Sequence, residues 1–100
     1  MAAALMVTYP AGTGASFDRD YYTATHLPLV REKFGPLGLI DVVGYFPEME
    51  DAGQLAVAVL TFHDAASRDA ALTSSAAGPV FGDVPNFTNV QPTPTALSVA

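Results

Sequence analysis

The stretch Gln54–Phe62, Q-L-A-V-A-V-L-T-F, decides the fold. Successive side chains of a strand point to opposite faces. Leu55, Val57 and Val59 therefore share one face, and Ala56, Ala58, Leu60 and Phe62 share the other. A strand with one face in water alternates apolar with polar residues, and this one is apolar on both. It belongs inside a sheet whose two faces both need a cover.

Outward from this strand the chain divides into short, well-punctuated elements. Residues 37–46 (LGLIDVVGYF) read as a partner strand, joined to it by the hairpin loop 47–53 (PEMEDAG). Glu48, Glu50 and Asp51 make that loop a solvated acidic tip. Residues 3–9 form the first strand, closed by Pro10, and residues 10–16 (PAGTGAS) a loop. A helix then opens at Asp18, which can accept from the free amides of the first turn. Phe17 and Tyr22 flank the cap with the spacing of a hydrophobic staple. Asp20 suits the positive end of the helix dipole, Arg31 and Lys33 suit the negative end, and Gly35-Pro36 stops the helix.

Pro28 breaks the pattern from inside this helix. It lacks an amide donor and crowds the carbonyl of Ala24, a cost of roughly 3 kcal/mol in an ordinary helix interior. Either the helix kinks there or it restarts with Pro28 as its first residue. Local violations of this kind cluster at functional sites. Downstream, Asp64 can cap a second, alanine-rich helix over residues 65–77, ended by Gly78-Pro79. A connector over 80–85 leads to a short fourth strand at 86–90, and Pro92 and Pro94 bar the tail from a central ladder position.

The order β-α-β-β-α-β predicts an α+β fold of ferredoxin-like type, with a four-stranded antiparallel sheet and both helices on one face. Two helices shield only one side of Gln54–Phe62. The simplest cover for the other side is the same face of a second copy, giving a homodimer whose sheets close into a dimeric α+β barrel.

Composition narrows the function classes. A chain of 100 residues is one domain's worth, residues 1–100. Half of the residues are hydrophobic and 14% are charged, which excludes a disordered chain and points apolar surface toward a subunit interface. Ten acidic residues against four basic ones give a net charge of −6, with no Lys/Arg cluster, so neither nucleic acid nor an anionic membrane is expected as a partner. Cysteine is absent, which rules out disulfides, thiolate metal sites and cysteine nucleophiles. The start MAAALMVTYP has no basic n-region and ends at Pro10, so it reads as a strand rather than a signal peptide, and the expected location is cytoplasmic.

Residues 17–29, F-D-R-D-Y-Y-T-A-T-H-L-P-L, resemble the F-D-x-x-Y-Y-x-x-x-H-x-P-L signature of the ethyl tert-butyl ether degradation (EthD) family. Residues 83–88, D-V-P-N-F-T, are similar to that family's D-x-P-N-F-T stretch before the last strand. The resemblance implies a dimeric ferredoxin-like barrel of bacterial type, associated with the breakdown of small organic molecules. Family members are commonly labelled reductases. The sequence gives that label no support, since PAGTGAS holds Gly12 and Gly14 but neither a third glycine nor a suitably spaced helix for a dinucleotide. No cofactor is expected.

Tyr22 and His26, at i and i+4, are neighbours on one helical face, and Leu29, Val30 and Lys33 extend the stripe that should meet the sheet. A buried histidine must find a hydrogen-bond partner. His26 reads either as a proton shuttle assisted by Tyr22 or as a structural histidine satisfied by a backbone carbonyl. Asp83 is either the group that orients His26 or a turn residue beside Gly82. Tyr9, Phe17, Tyr45 and Phe87, with Phe46 and Phe81, are candidates for lining an apolar substrate pocket, the competing reading being plain core. Tyr21 points away from the stripe as a partly exposed residue, Asp41 is an edge residue or a pocket carboxylate, and His63 lies in a solvated loop. Two histidines far apart in sequence, with no cysteine, do not suggest the three or four converging ligands of a metal site.

Two functions fit. One is cofactor-independent acid/base chemistry (isomerisation, elimination or proton transfer) by His26 on a small apolar organic molecule. The other is a non-enzymatic binding protein that supports an oxygenase.

Overall fold

A computed structural model describes residues 1–49 and 51–100; Glu50 of the acidic hairpin loop lies outside the described residues. The strands β1 (Ala3–Pro10), β2 (Leu39–Tyr45), β3 (Gln54–Phe62) and β4 (Thr93–Ser98) pair antiparallel throughout, in the order β2-β3-β1-β4. This is the expected ferredoxin-like sheet. Ala56, Ala58, Leu60 and Phe62 of β3 are buried beneath the helices, while Leu55, Val57 and Val59 are only half-buried on the bare side. Val59 sits between Val43 of β2 and Met6 of β1 at the middle of that bare face.

The first helical run has three parts: α1 (Arg19–Tyr21), a π-helical turn (Tyr22–His26) and α2 (Leu27–Phe34). Asp18 caps it, accepting from the Tyr21 amide at 3.0 Å, and the Phe17 and Tyr22 rings meet with centroids 5.0 Å apart. The π turn answers the problem posed by Pro28. In it the Leu27 amide donates to the Tyr22 carbonyl, five residues back, so one turn widens and Pro28 enters the second position of a restarted helix. Gly38, in the left-handed region at φ 105°, turns the chain toward β2 after a short 3-10 segment. Gly44 lets the widened turn approach the sheet, because a Cβ there would lie 3.1 Å from both Leu27 and Tyr22 side chains.

Two expectations for the second half need correction. The helix expected over residues 65–77 is instead α3 (Ala65–Leu72), capped by Asp64 on the Ser67 amide at 2.7 Å, followed by a separate α4 (Ala77–Gly82). Gly78-Pro79 stand in the first turn of α4, where amides have no intrahelical partner and a proline costs nothing. The last strand is also not at 86–90. That segment begins inside a 3-10 turn (Val84–Asn86) and contributes one isolated bridge, Thr88 to Phe17. Thr93–Ser98 makes β4 instead, with Pro94 opposite Val7, and the strand accommodates a proline because it is an edge.

Two arginines fasten the helices to the sheet. Arg31 of α2 donates to the Val42 carbonyl at 2.8 Å. Arg68 of α3 is buried and its Nη1 donates to the carbonyls of Ala4 and Leu97, bridging β1 and β4. Sequence reading passed over Arg68, whose charge suggests a surface residue. Arg68→Met keeps the apolar stem and loses both bonds. It is expected to cost about 1.5–3 kcal/mol in urea unfolding and to speed hydrogen exchange of the β4 amides selectively. Exchange rates unchanged in β4 would mean the pin is not holding the edge.

Candidate functional site

His26 closes the π turn and is only 4% exposed. Its Nδ1 lies 3.0 Å from Oδ2 of Asp83, which sits between α4 and the following 3-10 turn. A carboxylate only accepts, so Nδ1 carries the proton and donates, leaving Nε2 as the ring's lone-pair nitrogen. Among the described residues Nε2 has no hydrogen-bond partner. Asp83 is a hub: its Oδ1 also accepts from the Tyr21 hydroxyl at 2.7 Å and from the Asn86 amide at 2.9 Å.

The environment sets the charges of this network. Burial pushes His26 below the ordinary histidine value of 6.5, although the hydrogen bond and charge of Asp83 work against the shift. Burial alone would raise Asp83, but hydrogen bonds from Asn86, Tyr21 and His26 together hold it below the ordinary carboxylate value. The pair at neutral pH is thus a neutral imidazole held by an anion. Tyr22 is buried, stacks on His26 with ring centroids 5.3 Å apart, and has its hydroxyl pushed up to about 12 by burial. Tyr9 is raised further by the same cause, with the neighbouring Tyr22 adding to it. Neither phenol ionises near neutral pH.

Tyr9, Phe17, Tyr22 and Phe87 form one aromatic cluster, with neighbouring centroids 5.0–5.8 Å apart. His26 lies 4.6 Å from the Phe87 ring, and Phe46 packs at the cluster's edge, 6.0 Å from Phe17. The rings fill one another's space. What remains beside His26 is a cavity of about 20 Å³ lined also by Tyr9, Tyr22, Leu27 and Val80, room for a water molecule. Tyr45 stands apart from this assembly: it is 55% exposed and pairs with Val57 on the bare face of the sheet. Asp41 is exposed and accepts from the Val42 amide, an edge residue.

Tyr21 is half-buried, as the sequence reading had it, but its bond to Asp83 was not foreseen. In an α-helix five residues set Tyr21 and His26 about 140° apart. In the π turn, with its five-residue repeat, they reach the same carboxylate. The clue was Pro28. Among the described residues no three metal-ligating side chains converge.

No family model and no curated protein matches this sequence. Among solved structures, an EthD-like protein from Ralstonia eutropha JMP134 superposes with a TM-score of 0.82 at 24% identity, covering 99% of this chain and 92% of its own. A dimeric ferredoxin-like protein of unknown function from Jannaschia sp. CCS1 gives 0.69 at 19% identity, covering 99% and 100%. SnoaB, a cofactor-independent oxygenase from Streptomyces nogalater, gives 0.61 at 9% identity, covering 99% and 93%. At these identities the shared property is the fold, and it is the fold of the EthD-like proteins that residues 17–29 resemble.

The depressed His26 fixes the sign of a pH effect. The unfolded chain takes up its proton near 6.5 and the folded chain only below that. Stability is therefore full above 6.5, falls as the pH drops through that value, and levels off once both states are protonated. His26→Gln should remove this slope in urea titrations between pH 7 and 5. Asp83→Asn should move the His26 NMR titration lower still, since the carboxylate raises it. An upward move would show that the pair is not formed.

Proposed function

We propose that this protein binds a small, mainly apolar organic molecule and that His26 moves a proton on it without a cofactor. One observation carries the reading: a buried, neutral histidine that lines a cavity has its Nδ1 fixed by Asp83, and its other nitrogen has no hydrogen-bond partner among the described residues. Nε2 takes the proton of an activated C–H bond, and the electron pair stays on the substrate as an enolate. Asp83 holds the imidazolium until the proton returns, at the same carbon or another. Tyr22 assists by backing the ring and stays un-ionised. The likeness in fold to a protein titled a cofactor-independent oxygenase supports chemistry carried by side chains alone.

A second reading has its own footing. A cavity of about 20 Å³ holds no substrate, so His26 would have structural duty only, and the protein would bind a molecule for a partner oxygenase. Exchange of substrate C–H for deuterium separates the two. With 2-tetralone in D₂O, followed by proton NMR, wild type should exchange its acidic positions on the order of 10²–10⁴ times faster than a folded His26→Gln variant. Equal rates would leave the binding reading in possession.

The bare sheet face belongs to a second copy. Val43, Val57, Val59 and Met6 adjoin there across three strands, and no helix of the described residues covers them. The dimeric ferredoxin-like protein of the same fold supports this arrangement. In sedimentation the protein should run at about twice its 10.4 kDa, and Val59→Asp should return it to monomer at micromolar concentration. A wild-type monomer would remove the barrel.

A further inference from the structure

The helix layer leaves one side of β4 uncovered. Beneath α4 and the chain that leads into β4 runs an open cleft of about 670 Å³, in the size range of small-molecule sites. Three of its walls are shared: Val7, Phe81 and Val84 line both this cleft and the small cavity at His26. Pro85, Pro92 and Pro94 supply rigid apolar surface elsewhere. Among the described residues no ionisable side chain lines it. Its polar members are mostly committed: Thr88 donates to the Ser16 carbonyl, and the Asn89 side chain bonds the Ser16 amide and the Gly14 carbonyl. Gln91 alone has an uncommitted amide.

We propose that this cleft binds a neutral, largely apolar organic molecule carrying at most one or two polar atoms, and that Val7, Phe81 and Val84 form the partition through which it reaches His26. An anion would find no counter-charge in the lining and a net charge of −6 around it. Phe81 is the movable part of the partition. It projects from α4, is 39% exposed, and is not locked by the core, whereas Val7 and Val84 are buried. Rotation of this one ring joins cleft to cavity, which resolves why His26 has a free nitrogen but only water-sized space. The binding itself stands independently of the catalytic reading of His26; only the fate of the bound molecule rests on it.

The test uses 6-propionyl-2-(dimethylamino)naphthalene, a neutral naphthyl ketone whose emission shifts to the blue in apolar sites. The full chain should bind it saturably, at least roughly tenfold more tightly than the anionic dye 8-anilinonaphthalene-1-sulfonate. Pro94→Trp, on an exposed edge position, should fill the cleft and weaken ketone binding roughly tenfold or more, whereas His26→Gln should leave it intact. Phe81→Ala, which removes the movable ring, should speed deuterium exchange into 2-tetralone. Ketone affinity unchanged by Pro94→Trp overturns the proposal, the dye then sitting on the bare sheet face. Ketone binding lost in Pro94→Trp, together with exchange that ignores His26→Gln, upholds the cleft and sinks only the proton chemistry.

Discussion

Asp83 is where the two halves of the helix layer are joined. Its carboxylate receives Tyr21 and His26 from the first helical run and Asn86 from the turn after α4. Hydrogen bonds to a charged acceptor are worth about 1.5–3 kcal/mol each, more than their neutral counterparts. Without this anion three donors would be left facing a partly closed interior. The same carboxylate determines which imidazole nitrogen bears the proton. Architecture and chemistry are therefore the work of one group. Any change that loosens the connector after α4 also releases the tautomer of a histidine 57 positions away in sequence.

The sheet was legible because β3 obeys a simple period. Its bounds, its partners and its two apolar faces all follow from alternation and from turn residues on either side. The first helix was legible at its ends for similar reasons, since Asp18 and Phe17 act within a few residues of themselves. Its middle was not. Helical periodicity assumes one repeat length, and the π turn before Pro28 changes the repeat, which is why the partly exposed Tyr21 was not seen to share Asp83 with His26. The end of the chain misled for a different reason. Proline argues against a strand only where both sides of the ladder are used, and Pro94 sits at an edge. Arg68 and Tyr45 depend on tertiary neighbours that no local pattern announces.

The aromatic residues show how one chemistry serves two ends. Tyr9, Phe17, Tyr22 and Phe87 interlock edge to face, an arrangement that adds to their burial and leaves almost no void. They give His26 its dry surroundings without giving it a chamber. A dry setting lowers the basicity of the ring and keeps it neutral, so the packing that stabilises the fold also sets the charge of the buried histidine. Space for a guest has to come from elsewhere, and the uncovered flank of β4 is where the layers leave it.

The outer rims of the sheet bear on how copies of this molecule behave when crowded. On one rim Pro94 withholds an amide from the β4 ladder, and on the other the register of β2 slips between Leu39 and Asp41. Both are obstacles to adding another strand sideways. Fibril-like stacking is thereby discouraged at the two places where it would begin. The half-buried face of the sheet, away from both rims, carries no such obstacle.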